Sequence, residues 1–247
     1  MPANEWYKQW FNSPFYHKFY FERDEKEGKI FIDNLVAHLK PQPASRALHF
    51  GAGQGRHSRL LASYGFEVTA IDGVIDNVSY ASQFADDKLH FYLHDMRLPF
   101  WVNYFDLAFS IFTSFGYFPT RREHDDVMRT IAASLKPNGT VVFDYPNLHY
   151  AEEHLLHNET KRIGETQYDI HRWHDDQHFY KKIVITDPRL RQPEEHTEKR
   201  AKFSLGDFTD MFAFQKLQVT EVFGDYQLSS YDVRKTPRMI VVGKKIS

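Results

Sequence analysis

The chain has 247 residues, enough for one large hydrophobic core, and its 31 basic and 33 acidic residues leave a formal net charge of −2. That balance exerts no overall pull on nucleic acid or an anionic membrane, and neither is an expected partner. Cysteine is absent, which excludes disulfides, thiolate metal sites, iron–sulfur clusters and thiolate nucleophiles.

Residues 1–40 read as helix. Aromatic residues are 16% of the chain, and nine of them fall within residues 6–21. Ser13 followed by Pro14 makes a cap and first-turn pair. Asp24 and Glu27 have capping-box spacing for a second helix, with Ile32, Leu35, Val36 and Leu39 as its buried stripe. Pro41 and Pro43 stop it. No apolar run approaches the roughly 18 residues of a membrane span. The start, MPANEWYKQWF, lacks the basic-then-apolar pattern of an export signal, so a cytoplasmic protein is expected.

From Arg46 to Tyr145, short apolar runs alternate with amphipathic stretches. Strands are expected at Ala47–Phe50, Phe66–Ile71 (closed by Asp72), Leu89–Leu93, Phe105–Ser110 and Thr140–Asp144. Helices are expected at about Arg56–Tyr64, Asn77–Phe84 and Arg121–Leu135, and Lys136–Gly139 as a turn. Repeated β-α units imply parallel strands joined by right-handed crossovers in a doubly wound sheet. A short helix over His149–His157 follows. Strand-like alternation then covers Thr166–Trp173, Phe179–Thr186 and Glu195–Phe203, an antiparallel insertion. Ser204 and Asp207 cap a helix to Gln215, and strands at Leu217–Phe223 and Arg238–Lys244 close the chain. The fold class is α/β: a Rossmann-like, mostly parallel seven-stranded sheet with an antiparallel β insertion after the fifth strand. It divides into a helical lid (1–45), a central domain (46–150 with 204–247) and the insertion (151–203).

The informative segment is ALHFGAGQGRHS (Ala47–Ser58). Gly51, Gly53 and Gly55 alternate between a strand and a helix, so a ligand can lie on bare main chain beside the helix N-terminus. A dinucleotide site wants G-x-G-x-x-G, and its third glycine would be Arg56 here. Asp72 ends the second strand, where a carboxylate takes both hydroxyls of a ribose. Asp95, after the third strand, suits an exocyclic amine, with the Met96 main chain against an adenine ring. Ser110, Phe112 and Thr113 follow the fourth strand, at the edge where open α/β sheets bind ligands. A phosphate-free loop with a ribose acid and an adenine acid fits S-adenosylmethionine (SAM) better than a nicotinamide dinucleotide.

On these residues the sequence resembles the class I SAM-dependent methyltransferases. GAGQGRHS resembles the family's first motif, Asp72 its ribose acid, HDMRLPF its adenine motif and FDLAFSIFTSFGYF its fourth-strand motif. LKPNGTVVFD and the tail GDYQLSS…PRMIVVGKK resemble its fifth strand and final hairpin. SFGYF, FYFERDEKEG and the insertion resemble small-molecule N-methyltransferases, including those acting on amino sugars. The resemblance implies SAM as cofactor, with Ala52, Arg56 and Gly73 beside it, Tyr20 and Arg23 over its methionine end, and Tyr117 near the transferred methyl. In one departure, His49 stands where the family has an acid two positions before the first glycine. A histidine there orients the loop by hydrogen bonding without anchoring the ligand's ammonium.

The function expected is methyl transfer to a small-molecule acceptor at nitrogen or oxygen. RNA or protein methylation, or a SAM-binding module with little catalysis, are the alternatives. A hydroxyl acceptor would need a base, for which His124, Tyr117 and a histidine of the insertion qualify by type. No metal is expected: His154 with His157, and His171 with His174, read as solvated. Tyr145 and Asn147 are placed at the substrate mouth. Trp6 and Trp10 read as core or homodimer contacts.

Overall fold

The computed structural model describes residues 6–246, with the side chains of residues 6, 8 and 21–25 outside the described set. Residues Trp6–Phe11 form α1 and Pro14–Leu39 form α2. Ser13 caps α2 by accepting from the Phe15 N–H at 3.2 Å, and Pro14 occupies the first turn, where no N–H is needed. The second start expected at Asp24 does not occur, and α2 runs unbroken for 26 residues. Packing overrides the local capping signal. Phe15 and Phe19 at one end of α2 and Phe31, Ile32 and Leu35 at the other are buried in two separate cores.

The central elements are β1 (Arg46–Phe50), α3 (Arg56–Ser63), β2 (Glu67–Asp72), α4 (Ile75–Ala81), β3 (Leu89–Leu93), β4 (Phe105–Ser110), α5 (Arg121–Ser134) and β5 (Leu135–Pro146). The expected turn at Lys136–Gly139 is absorbed into β5. Pairing with β4 begins at Leu135 and shifts register before Thr140, with Asn138 at φ 63° taking up the irregularity. A Thr120–Glu123 capping box starts α5. After α6 (Leu148–Glu153) the insertion has four strands, not the three expected: β6 (Asn158–Ile163), β7 (Thr166–His174), β8 (His178–Thr186) and β9 (Glu194–Ala201). The sequence NETKRI of β6 ends on its one large apolar residue, so the strand gives no apolar alternation. The chain ends with α7 (Leu205–Phe214), capped by Ser204 and Asp207 as expected, β10 (Leu217–Phe223) and β11 (Arg238–Lys245).

The main sheet has the order β10-β11-β5-β4-β1-β2-β3. β11 runs antiparallel to β5 and β10, and the pairs from β5 to β3 are parallel. The strand order therefore reverses between β1 and β4, and a crevice opens at their carboxyl ends. Buried aromatics of α7, β5 and the segment after β4 (Phe115, Phe143, Phe208, Phe212) fill one face, and α2 and α3 cover the other. The antiparallel sheet β6-β7-β8-β9 packs Tyr168, Ile170, Ile183 and Ile185 against Trp10, Phe15 and Phe19. Trp10 is buried within the chain, donates to Glu198 Oε1 at 2.7 Å and stacks on His196, so it is a core residue and not a dimer contact. Trp6 lies outside the described side chains. Among the described residues no helix is long and apolar enough to cross a membrane.

Phe208 is fully buried among Phe115, Phe143, Tyr145, Phe203 and Phe212. Phe208→Ala is expected to cost about 3–5 kcal/mol in urea unfolding. Phe214→Ala, on the same helix but 83% exposed, is expected to change stability by less than about 0.5 kcal/mol.

Candidate active site

A cavity of about 730 Å³ lies where β1, β2, β3 and β4 end. α1 and α2 roof it with Phe11, Tyr16 and Tyr20, and one face of β7, β8 and β9 closes the far side.

The three loop glycines all have positive φ (62°, 54° and 77°), a conformation that L side chains rarely adopt. Their surroundings differ. A Cβ on Gly51 would lie 2.5 Å from Ser114 Cβ, and one on Gly53 would meet nothing. Gly51, Ala52 and Gly53 line the cavity. Gly55 does not, contrary to expectation. It starts α3, and a Cβ there would sit 2.5 Å from the Phe91 ring of β3, so the residue serves helix–strand packing.

Asp72 holds this loop from below. Its Oδ2 accepts from Gly53 N–H at 2.8 Å, and its Oδ1 accepts from Val74 N–H at 2.9 Å and from Asn77 Nδ2 at 3.4 Å. Burial raises its pKa, and those donors hold it down in part. Among the described residues Asn77 Oδ1 is buried without a partner, and Gly73 and Asn77 line the cavity beside Asp72. Bare main chain, a carboxylate and an unsatisfied amide oxygen suit a ligand rich in hydroxyl and amine donors, so the residues present fit an adenosyl cofactor. Asp95 and Met96 line the same end. The Asp95 carboxylate is also held by Arg97, which reaches Oδ2 at 2.5 Å and Glu123 Oε1 at 2.6 Å.

At the end of β4 the expected Ser110 is buried inside the strand and does not reach the cavity. Ile111, Phe112, Thr113 and Ser114 do. Phe112 and Thr113 have φ of 57° and 62°, a strained pair for bulky and β-branched residues. Asp144 holds that turn: its Oδ2 accepts from Phe112 N–H at 2.8 Å, and its Oδ1 accepts from Arg238 Nε at 2.7 Å. Arg238 in turn donates to Thr113 Oγ1 at 2.9 Å. The Phe112 ring stacks on His57, with centroids 4.5 Å apart.

His49 is buried, its Nδ1 lies 2.7 Å from Ser58 Oγ, and burial holds its pKa down to about 3. It is neutral and ties the strand end to α3. Arg56 and Tyr20 line the cavity, and the Arg23 side chain lies outside the described residues. Tyr117 lines it next to Phe11, with ring centroids 5.2 Å apart, and burial pushes its hydroxyl up to about 12. Other expectations are corrected. His124 is enclosed by Phe115, Phe118 and Phe203, with Nδ1 on Thr120 O, and does not reach the cavity. Tyr145 is buried and donates to Ala201 O, and Asn147 donates to Asp232 O and Thr236 O, so neither lines the mouth. The histidines that do line the cavity are His17, His49, His57 and His94, none of them from the insertion. The charged wall that the sequence pattern does not expose comprises Glu159, Lys161, Arg172, Lys181, Glu198 and Arg200. Strand alternation alone would have put the last four on inward positions only once their register was known. Among the described residues no group of three or more His, Asp or Glu side chains is placed to hold a metal ion.

Residues 48–143 match the methyltransferase domain family. These residues form a methyltransferase domain, and the fold of the chain is that of SAM-dependent methyltransferases. No curated protein sequence matches the chain. Among solved structures the fold is similar to a SAM-dependent methyltransferase from Clostridium acetobutylicum (17% identity, 94% of this chain and 97% of that one, TM-score 0.78). It is similar also to the CcbJ methyltransferase from Streptomyces caelestis (18%, 91% and 90%, TM-score 0.74). A third similar structure is the SAM-bound amino pentose methyltransferase CalS10 from Micromonospora echinaspora (18%, 94% and 97%, TM-score 0.69).

The neutral state of His49 makes the methyltransferase fold acid-sensitive. The unfolded chain takes up a proton near 6.5 that the folded chain refuses until about 3, so the stability that His49 contributes is complete above 6.5 and is lost as pH falls. His49 alone is expected to remove about 1.4 kcal/mol per pH unit between those limits. Urea titrations at pH 7, 6, 5 and 4 check this, and His49→Gln should flatten the slope by about one proton.

Proposed function

We propose that the protein transfers the SAM methyl group to a nitrogen of a small molecule held inside the cavity. The carrying observation is the size and walling of that cavity: α1 and α2 on one side and the β7–β9 face on the other bound about 730 Å³, the size of a pocket for small molecules. The similar structures that act on small molecules, an amino pentose methyltransferase among them, support the same reading.

When bound, SAM supplies an electrophilic methyl on a sulfonium. In this reading Asp72 accepts from the ribose hydroxyls, and Gly51, Ala52 and Gly53 present bare main chain, with Gly73 alongside. Asp95 and Met96 take the adenine, and Phe112 walls the nucleoside side. Arg56 and Tyr20 face the methionine end. Phe11, Tyr16 and Tyr117 surround the reacting region with aromatic faces, which attract a sulfonium and exclude water. Residues 1–45 act as the lid, 46–150 with 204–247 as the cofactor domain, and 151–203 as the acceptor side. Tyr117 keeps its proton at neutral pH, so it orients the acceptor and removes nothing from it. No histidine stands on the acceptor wall to activate a hydroxyl. A neutral amine needs only a placed lone pair, which favours nitrogen over oxygen.

Calorimetry is expected to show SAM and S-adenosylhomocysteine binding, and labelled SAM to mark a low-molecular-weight amine in a metabolite extract. Label recovered only in RNA or protein overturns the reading, as does cofactor binding with no transfer to any acceptor. Asp72→Ala should weaken S-adenosylhomocysteine binding about 10- to 150-fold, the loss of charge-assisted hydrogen bonds. Tyr117→Phe should lower kcat about tenfold and leave S-adenosylhomocysteine affinity unchanged.

A further inference from the structure

The wall formed by the insertion carries more positive than negative charge. Lys161, Arg172, Lys181 and Arg200 face the cavity with Glu159 and Glu198. Two of the four cations are matched: Arg172 pairs with Glu159 at 2.6 Å, and Lys181 with Glu198 at 3.3 Å. Glu198 is further occupied by the Trp10 indole N–H at 2.7 Å and the Tyr20 hydroxyl at 3.3 Å, and Lys181 also bonds the Tyr20 oxygen. Arg238, nearer the cofactor loops, is matched by Asp144.

Arg200 is different. Among the described residues no carboxylate lies within ion-pair reach of it, and its Nε is buried without an acceptor. It is nevertheless held in place. Its Cγ lies 3.1 Å from the position of a Cβ on Gly116, the neighbouring Ala201 N–H donates to Gly116 O at 2.8 Å, and its guanidinium sits 5.4 Å from the Phe179 ring. Its side chain hydrogen-bonds Tyr117. A guanidinium fixed beside Tyr117, with a donor aimed at no protein acceptor, is a half-built site for an oxyanion, which its planar fork matches in two hydrogen bonds. A buried donor left unpaired is costly, and a ligand oxygen relieves that cost.

We propose that the methyl acceptor carries an anionic group, a carboxylate or a phosphate, and that Arg200 binds it, with Lys161 adding a second positive charge to the same wall. The inference rests on the small-molecule reading above and names the class of acceptor. Arg200 fixes the acceptor by its anion, and the amine is then presented beside Tyr117. The anion also raises the local concentration of acceptor by charge attraction.

The test uses the full chain saturated with S-adenosylhomocysteine, with pyrophosphate and glutarate as separate probes. Calorimetry is expected to show binding of one probe, and which one identifies phosphate or carboxylate. Arg200→Met should weaken that binding about tenfold or more, and Arg200→Lys should restore part of it. S-adenosylhomocysteine affinity should stay within about twofold of wild type in both, because no cofactor contact is assigned to Arg200. Lys199→Met removes a charge from the adjacent position of β9, which points to the opposite face of the strand, and should leave probe binding unchanged. Binding of neither probe by the wild-type complex overturns the proposal, as does equal probe binding by Arg200→Met or equal loss in Lys199→Met. Failure of the wild type to bind S-adenosylhomocysteine would instead strike the reading beneath it. Circular dichroism of each variant separates lost binding from lost fold.

Discussion

The arrangement of the cavity depends on one buried ion pair, Asp144 with Arg238. The Asp144 side chain is fully enclosed and is satisfied by Arg238, the Phe112 N–H and the Tyr226 hydroxyl at 3.2 Å. Withdrawing both charges from water is expensive, so the pair is poor evidence of net stability. Its effect is positional. It joins β5, β11 and the segment ahead of β11 to the turn after β4, and that turn cannot relax from its left-handed conformation while its N–H and its threonine hydroxyl are both engaged. The turn in turn places Ser114, whose hydroxyl donates to Gly51 O at 3.0 Å. The glycine loop and the fourth strand thus share one scaffold.

Charge is distributed in opposite ways on the two sides of the cavity. The cofactor side supplies its polarity from main chain and the carboxylates of Asp72 and Asp95, and one of its histidines, His49, is kept neutral. The insertion supplies side-chain cations in a paired and partly unpaired array. A sulfonium ligand and an anionic acceptor would each find the complementary field, so the two are sorted before any contact specific to either is made.

Much of this was legible in the residues. The glycine spacing, the acid ending the second strand and the succession of β-α units followed from local signals, because β-α units carry their own punctuation in glycines, caps and apolar runs. Gly55 was legible as a glycine but not in its task, since Phe91 reaches it only after the sheet has formed. Ser110 was misplaced by a single position of strand alternation. β6 was missed because its side chains alternate between exposed and half-exposed, with little apolar contrast. Asp144 and Arg238 lie 94 residues apart, and Arg200 meets Tyr117 only because the insertion folds back over the main sheet. Such pairings are products of tertiary closure, and no window of sequence contains both partners.

The unbroken course of α2 bears on how molecules enter and leave. One end of this rod is rooted among Tyr168 and Ile183 of the small sheet, and the other among the aliphatics of the large one. Lifting it would disturb two hydrophobic interiors together, so a passage opened beneath it would serve a departing nucleoside and an arriving acceptor alike.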